Sequence, residues 1–352
     1  MSSITEIDKN FKIEADVGKK DAVFFDALDE PFRIYGVIHE DGIFRRMPQS
    51  CADRVSPNLA VLNTNTAGGR VRFKTDSPYV AIVAKMHSIG KMPHFAISGS
   101  GGFDMYIKSE QGEVYKNTFM PPFNMTDGYH SVLDTGSTEM KEITVNFPLY
   151  SGVSRLYIGV SEKARVERAE DYTFEKPIVY YGSSITQGGC ASRPGSAYQA
   201  YISRRFDTNF INLGFSGNAK GEDAIAEYVR DLDMSLFVYD YDHNAPNPEH
   251  LAATHEKMFK TVREAHPDMP IIMMTRPKIY LSGEEVRRRE IVATTYRNAI
   301  TSGDRNVYFI AGADLMQYVE NNGTVDNCHP TDLGFWSMAK VIGDLIEEME
   351  LL

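Results

Sequence analysis

Four short segments in the second half of the chain carry residue types that together could transfer an acyl group. They are "GSSITQG" with Ser184, "NLGFSGN" with Gly217, "DYDHNAP" with Asn244, and "DNCHPTDLG" with Asp326 and His329. Acyl transfer needs a hydroxyl nucleophile, a base for its proton, a group that orients the base, and donors for the oxyanion. In "DNCH" the three-residue spacing lets Asp326 fold back onto the Nδ1 proton of His329, leaving Nε2 to face Ser184 as general base. The oxyanion donors would be the backbone N–H groups of Ser184 and Gly217 and the side-chain amide of Asn244. Glycine suits that role because it lets the main chain approach a substrate closely. Each segment alone also has an ordinary reading. A Gly-Ser-Ser turn follows many strands, Asp326 could cap a loop, and "HPTD" could start a helix with Thr331 or Asp332 as N-cap.

Further candidates surround these. Asn247 competes with Asn244 for the amide role, and Asn244 is favoured because it lies nearer the end of an apolar run. His243, beside Asn244, is a candidate for the pocket wall. His243, His250 and His255, with Asp240 and Asp242 nearby, raise the alternative of a zinc site. Their spacing forms no helical pair around a Glu, and His250 and His255 fall on a predicted surface helix, so no metal and no cofactor are expected. Arg193 either hydrogen-bonds a substrate hydroxyl or carboxylate or is a solvated loop charge. Trp336, seven residues after His329, offers either a stacking face for a substrate or a core aromatic. The three cysteines, Cys51, Cys190 and Cys328, are too few and too scattered for a disulfide framework and read as free thiols.

The elements that must position these groups are legible as a change of period along the chain. From about residue 20 to 162, apolar residues alternate in short runs such as "RVRFKTDSPYVAIVAK", "FDMYIK" and "SRLYIGV", the mark of a β-sandwich. Beyond it come five apolar runs, "IVYY", "FINL", "LFVY", "IIMM" and "VYFI", alternating with amphipathic stretches such as 248–266 and 284–301. That alternation predicts an open parallel sheet with helices on both sides. Ligands of such sheets bind outside the carboxyl ends of the strands. Ser184 follows the first run, Gly217 the second and Asn244 the third, and "DNCH" precedes the last helix, so all four segments converge on that edge. The charged stretch 161–176 reads as a linker or short helix. It sets the expected division into 1–165, a β-sandwich accessory domain, and 166–352, the catalytic domain.

The bulk properties exclude some partners. With a formal net charge of −11 and a sequence pI near 5.4, the chain lacks the basic surface that nucleic acid or an anionic membrane requires, and a neutral substrate fits better. The first twenty residues hold no apolar core of signal-peptide length and no apolar run approaches spanning length, so a cytoplasmic location is expected.

In this order, the four segments resemble the SGNH (GDSL-type) hydrolase superfamily, whose blocks carry a serine, a glycine, an asparagine and a histidine. "GSSITQG", "NLGFSGN", "DHN" and "DNCHPTDLGF" match those blocks over roughly the last half of the chain. Ser183 stands where many relatives carry Asp, and the third block lacks the usual Gly-x-Asn-Asp form. The longer string "GSSITQGGCASRPGSAY" resembles a bacterial carbohydrate-esterase branch, and "GGFDMYIK" resembles the GxDLY signature of its companion domain, with Met105 for Leu. The resemblance implies an α/β protein: a C-terminal flavodoxin-like three-layer α/β/α hydrolase domain and an N-terminal jelly-roll-like β-sandwich. It also implies a serine esterase that removes O-acetyl groups from carbohydrates, such as acetylated plant β-mannan or xylan oligosaccharides. The alternatives are a lipid or small-acyl esterase or thioesterase, and an inactive glycan-binding protein.

Overall fold

In this computed structural model residues 17–110 and 112–352 are described. Residues 1–16, which make up most of the stretch read for a leader, lie outside the described residues. The chain forms two compact units. The first comprises the residues up to Arg45, Thr64–Asp171 and Ser192–Gly195; the second comprises Arg46–Asn63, Tyr172–Ala191 and Ser196–Leu352.

The first unit is built from antiparallel sheets. One has four strands in the order Ala22–Asp26, Gly152–Ser161, Tyr79–Ser88, Gly128–Asp134. The other runs Val166–Glu167, Arg70–Thr75, Lys141–Asn146, Phe103–Ser109, Gly112–Phe119, with Arg33–Tyr35 also paired to Arg70–Thr75. The period-two alternation explains why both sheets have an apolar inner face. Val80, Ile82 and Ala84 from one sheet share a single core with Val71, Phe73, Ile143 and Val145 from the other.

The stretch 161–176 is neither a free linker nor a helix. Val166–Glu167 adds an edge strand to Arg70–Thr75, with Val166 opposite Thr75, and Phe174 already begins the next sheet. Of its charges only Glu167 sits on that edge strand, where a charged side chain discourages further pairing. The sequence reading also took residues 46–63 into the sandwich, whereas they form two helices of the second unit, Gln49–Val55 and Pro57–Leu62. The signal was present. Ser56 caps the second helix by accepting the Leu59 N–H at 3.2 Å, and Pro57 occupies the first helical position.

In the second unit the five apolar runs are five parallel strands: β1 (Phe174–Gly182), β2 (Thr208–Gly214), β3 (Leu236–Asp240), β4 (Ile271–Met274) and β5 (Val307–Ile310). Their spatial order is β2-β1-β3-β4-β5, the flavodoxin-like arrangement, with the order reversing beside β1. Every residue of β3 and β4 is buried, as expected of strands covered on both faces. The long helices Pro248–Ala265 and Gly283–Thr301 fall where the periodicity placed them, the second opening on a capping box between Ser282 and Glu285.

His255 corrects the sequence reading of Pro248–Ala265 as exposing both its histidines. It is only 1% exposed because it shares the apolar face with Leu251, Met258, Phe259 and Val262 at helical spacing. Its ring stacks on Tyr239 and Tyr241, its Nδ1 meets the Thr295 hydroxyl at 2.9 Å, and burial pushes its pKa down to about 3. A neutral imidazole locked in aromatic packing is a core residue. Among the described residues no helix is long and apolar enough to cross a membrane.

Candidate active site

The site begins where β1 ends. Gly182 closes the strand opposite Asp240, and a Cβ there would stand 1.7 Å from the Asp240 carboxylate and 2.5 Å from the Thr186 hydroxyl, so only glycine fits. Ser183 caps the short helix α1 (Ser184–Gln187), its hydroxyl accepting the Ile185 N–H at 3.1 Å. Ser184 is therefore the first residue of a helix at the carboxyl edge of the sheet. It is 6% exposed, and its Oγ lies 3.0 Å from His329 Nε2.

His329 is held by its own loop. Asp326 Oδ2 meets His329 Nδ1 at 2.7 Å, while Asp326 Oδ1 accepts the backbone N–H groups of His329 at 2.7 Å and Cys328 at 3.0 Å. Burial alone would raise the Asp326 carboxyl, but the His329 backbone N–H and imidazole, with help from the Cys328 N–H, hold it below the usual range. An ionised Asp326 accepts a hydrogen bond from Nδ1–H, fixing the proton on Nδ1 and leaving the Nε2 lone pair to accept from the Ser184 hydroxyl. The loop is closed by Val325 N–H to His329 O at 2.9 Å and Thr331 N–H to Gly323 O at 2.8 Å. The Cys190 N–H donates to Pro330 O at 2.9 Å, tying this loop to the segment after α1.

Gly217 has a φ of +67°, a conformation glycine adopts without steric penalty, and a Cβ there would meet nothing within 4 Å. No acceptor among the described residues takes its N–H. Asn244 and Asn247 separate by hydrogen bonding. The Asn247 side chain caps the helix Pro248–Ala265, accepting the His250 N–H at 2.8 Å, whereas the buried Asn244 Oδ1 has no partner among the described residues. His243 Nδ1 lies 3.0 Å from Asp242 Oδ1, and its buried Nε2 likewise has no partner among the described residues.

Both nearby thiols approach the catalytic loop. Cys190 Sγ lies within 4.8 Å of a ring nitrogen of His329, and Cys328 Sγ within 4.8 Å of His329 and Asp326 donor atoms. Burial pushes the Cys190 thiol up to about 12 and also raises that of Cys328. Both remain protonated at neutral pH and are poor nucleophiles beside Ser184.

Two sequence candidates behave otherwise. Arg193 belongs to the first unit, where its guanidinium sits over the Tyr115 ring at 4.1 Å with Nε 3.9 Å from Asp104 Oδ2; it is neither a solvated charge nor grouped with the Ser184 residues. Asp104 of "GGFDMY" is fully buried, accepting from Asn146 Nδ2 and the Gly195 N–H, each at 2.8 Å. Trp336 is 43% exposed and packs edge-on against Tyr318, also exposed, so the core reading fails. The apolar face of its helix is already filled by Phe335, Met338, Ile342 and Ile346.

Sequence reasoning overlooked Asp240 except as a metal neighbour. It is fully buried at the end of β3 and bonded through Oδ1 to the Thr186 hydroxyl, and among the described residues no donor stands in good hydrogen-bonding geometry to Oδ2. Burial pushes its pKa up to about 7. The unfolded chain releases this proton first, so stability falls as pH rises from the ordinary carboxylate range to about 7 and then levels. Relative to Asp240→Asn, urea unfolding of the wild type is expected to lose on the order of 2–4 kcal/mol between about pH 4.5 and 8. Parallel pH dependences of the two proteins would refute the assignment.

The class this geometry defines is a parallel-sheet hydrolase with a serine at the end of its first strand, and the comparisons agree. Residues 175–347 match the GDSL-like Lipase/Acylhydrolase family, and residues 22–166 match the GxDLY family, described as the N-terminus of the SGNH-hydrolase type of esterase. A candidate GDSL-like lipase from Bacteroides ovatus is 31% identical with a TM-score of 0.83, covering 94% of this chain and 98% of its own. The chain belongs to the GDSL-like lipase/acylhydrolase family. The fold is also that of a salicylyl-acyltransferase from a tetracycline biosynthetic pathway, at 19% identity and TM-score 0.77 over 95% of this chain and 99% of that one. It is shared too with an acetyl xylan esterase from Butyrivibrio proteoclasticus, at 12% identity and TM-score 0.57 over 94% and 99%. No curated protein sequence matches it.

Proposed function

We propose that the protein is a serine esterase that removes O-acetyl groups from carbohydrates, acting through Ser184, His329 and Asp326. The observation that carries the reading is the unbroken line of contacts from Asp326 through His329 to Ser184, at 2.7 and 3.0 Å, together with a Gly217 N–H that no acceptor among the described residues takes. Ser184 Oγ attacks the ester carbonyl as its proton passes to His329 Nε2. The N–H groups of Ser184 and Gly217 and the Asn244 amide receive the oxyanion. The C–O bond to the sugar breaks, and His329 returns the proton to the departing hydroxyl. Water, deprotonated by His329, then attacks the acyl-serine, releasing acetate and restoring the Ser184 hydroxyl.

The carbohydrate direction is supported by the "GSSITQGGCASRPGSAY" string, by the acidic composition that suits a neutral glycan, and by the fold shared with the acetyl xylan esterase. Acetylated β-mannan or xylan oligosaccharides are the proposed substrates. Acetate release from acetylated manno- and xylo-oligosaccharides, with 4-nitrophenyl acetate as generic ester, tests this. Release from a glycan at a higher kcat/KM than from the generic ester is expected. Turnover of the generic ester alone would refute the sugar assignment and keep the serine mechanism.

A further inference from the structure

We propose that Gln187 and Asn218 are positioning residues for the oxyanion hole, together fixing the peptide group that presents the Gly217 N–H at a set place relative to Ser184. The inference rests on the serine-esterase reading and deepens it. Gln187 ends the helical turn that Ser184 begins, is fully buried, and donates its own N–H to Ser183 O at 2.9 Å. Its side-chain oxygen accepts the Ser216 N–H at 3.0 Å. The nucleophile's helix thus grips the glycine loop one residue before the donor.

Asn218 acts on the next peptide group. Its Nδ2 donates to Ser216 O at 2.8 Å. That carbonyl belongs to the same peptide as the Gly217 N–H, and in a planar trans peptide the two point in opposite directions. Holding the oxygen therefore aims the hydrogen. Gly217, with its left-handed φ and open surroundings, would otherwise be free to rotate this peptide.

The loop is also anchored upstream. Phe215 N–H donates to Gly182 O at 2.7 Å, and the Arg46 guanidinium lies 4.3 Å over the Phe215 ring while bonding Gly214 O. A Cβ on Gly214 would lie 2.1 Å from the Gln187 nitrogen, so the loop and α1 meet at backbone contact. These anchors hold the loop's position, and Gln187 and Asn218 set the direction of its N–H. A donor misplaced by about 1 Å loses most of its effect on a developing charge, while ground-state binding hardly changes.

The test uses the full chain and three variants: Gln187→Met, which keeps the volume and removes the acceptor; Gln187→Glu, which keeps an acceptor; and Asn218→Ala, at a half-buried loop site. For Gln187→Met and Asn218→Ala, kcat on 4-nitrophenyl acetate is expected to fall ~10- to ~100-fold with KM within about threefold. Affinity for a boronic acid, which mimics the tetrahedral intermediate, should fall in parallel, and Gln187→Glu should recover most of the loss. If Gln187→Met does not fold, Asn218→Ala decides. Unchanged kcat and boronate affinity, or a rise in KM with kcat held, would overturn the proposal. Ser184→Ala run alongside keeps the two failures apart: activity surviving in it would sink the esterase reading itself, whereas its loss beside normal Asn218 and Gln187 variants would sink only the positioning roles.

Discussion

Ser184→Ala is expected to lower kcat for ester hydrolysis by about a million-fold, leaving only the rate that binding and the oxyanion donors supply. The hydroxyl at 3.0 Å from His329 Nε2 is the group the imidazole can deprotonate, and both neighbouring thiols are held protonated by burial. The fold should be indifferent to the change. Ser183, not Ser184, caps the helix, and alanine is a better helix former at its first position. Measured by acetate release with thermal unfolding as control, an unchanged Tm with activity lost is the expected pair. A variant that retains more than a few per cent of kcat would remove Ser184 from the mechanism.

Asp326→Asn should cost about 10,000-fold in kcat while the chain still folds. The asparagine oxygen can still accept the backbone N–H groups of Cys328 and His329, so the loop keeps its shape. What it loses is the carboxylate that selects the Nδ1–H tautomer and stabilises the imidazolium formed when Ser184 attacks. The depressed carboxyl also has a signed pH consequence. Its contribution to stability is present above the ordinary carboxylate pKa and is lost as pH falls through the lower native value, so on acidification the wild type should lose an advantage that it holds at neutral pH and that the variant never had. Stability curves for the two proteins that stay parallel down to strongly acid pH would contradict that assignment.

The parallel sheet was fully legible because doubly covered strands leave uninterrupted apolar runs, and "IVYY" to "VYFI" mapped one to one onto β1 to β5. Ser184, His329 and Asp326 were legible for a related reason. A strand end and the approach to the last helix are places that sequence periodicity marks, and the Asp-x-x-His spacing encodes its own hydrogen bond. Helices Gln49–Val55 and Pro57–Leu62 were missed because each is under eight residues, too short for periodicity to outvote the strands around them. The contacts of Gln187 and Asp240 were invisible: Gln187 meets the Ser216 N–H and Asp240 the Thr186 hydroxyl from distant parts of the chain, and no spacing along it records that. Asn218 meets Ser216 O only two residues away, but nothing in the sequence marks that short contact as different from any loop hydrogen bond. Of the two readings of Trp336, the core one fails because its neighbour Phe335 takes the inward position on that turn.

The most direct test of the account is to label the intact protein with a fluorophosphonate and map the modified residue by peptide mass spectrometry, in parallel with turnover of 4-nitrophenyl acetate. Stoichiometric modification of Ser184, matched by loss of turnover and absent after His329→Ala, is the predicted result. Turnover that persists with Ser184 unlabelled, or a label carried by another residue whose modification stops the reaction, would contradict it.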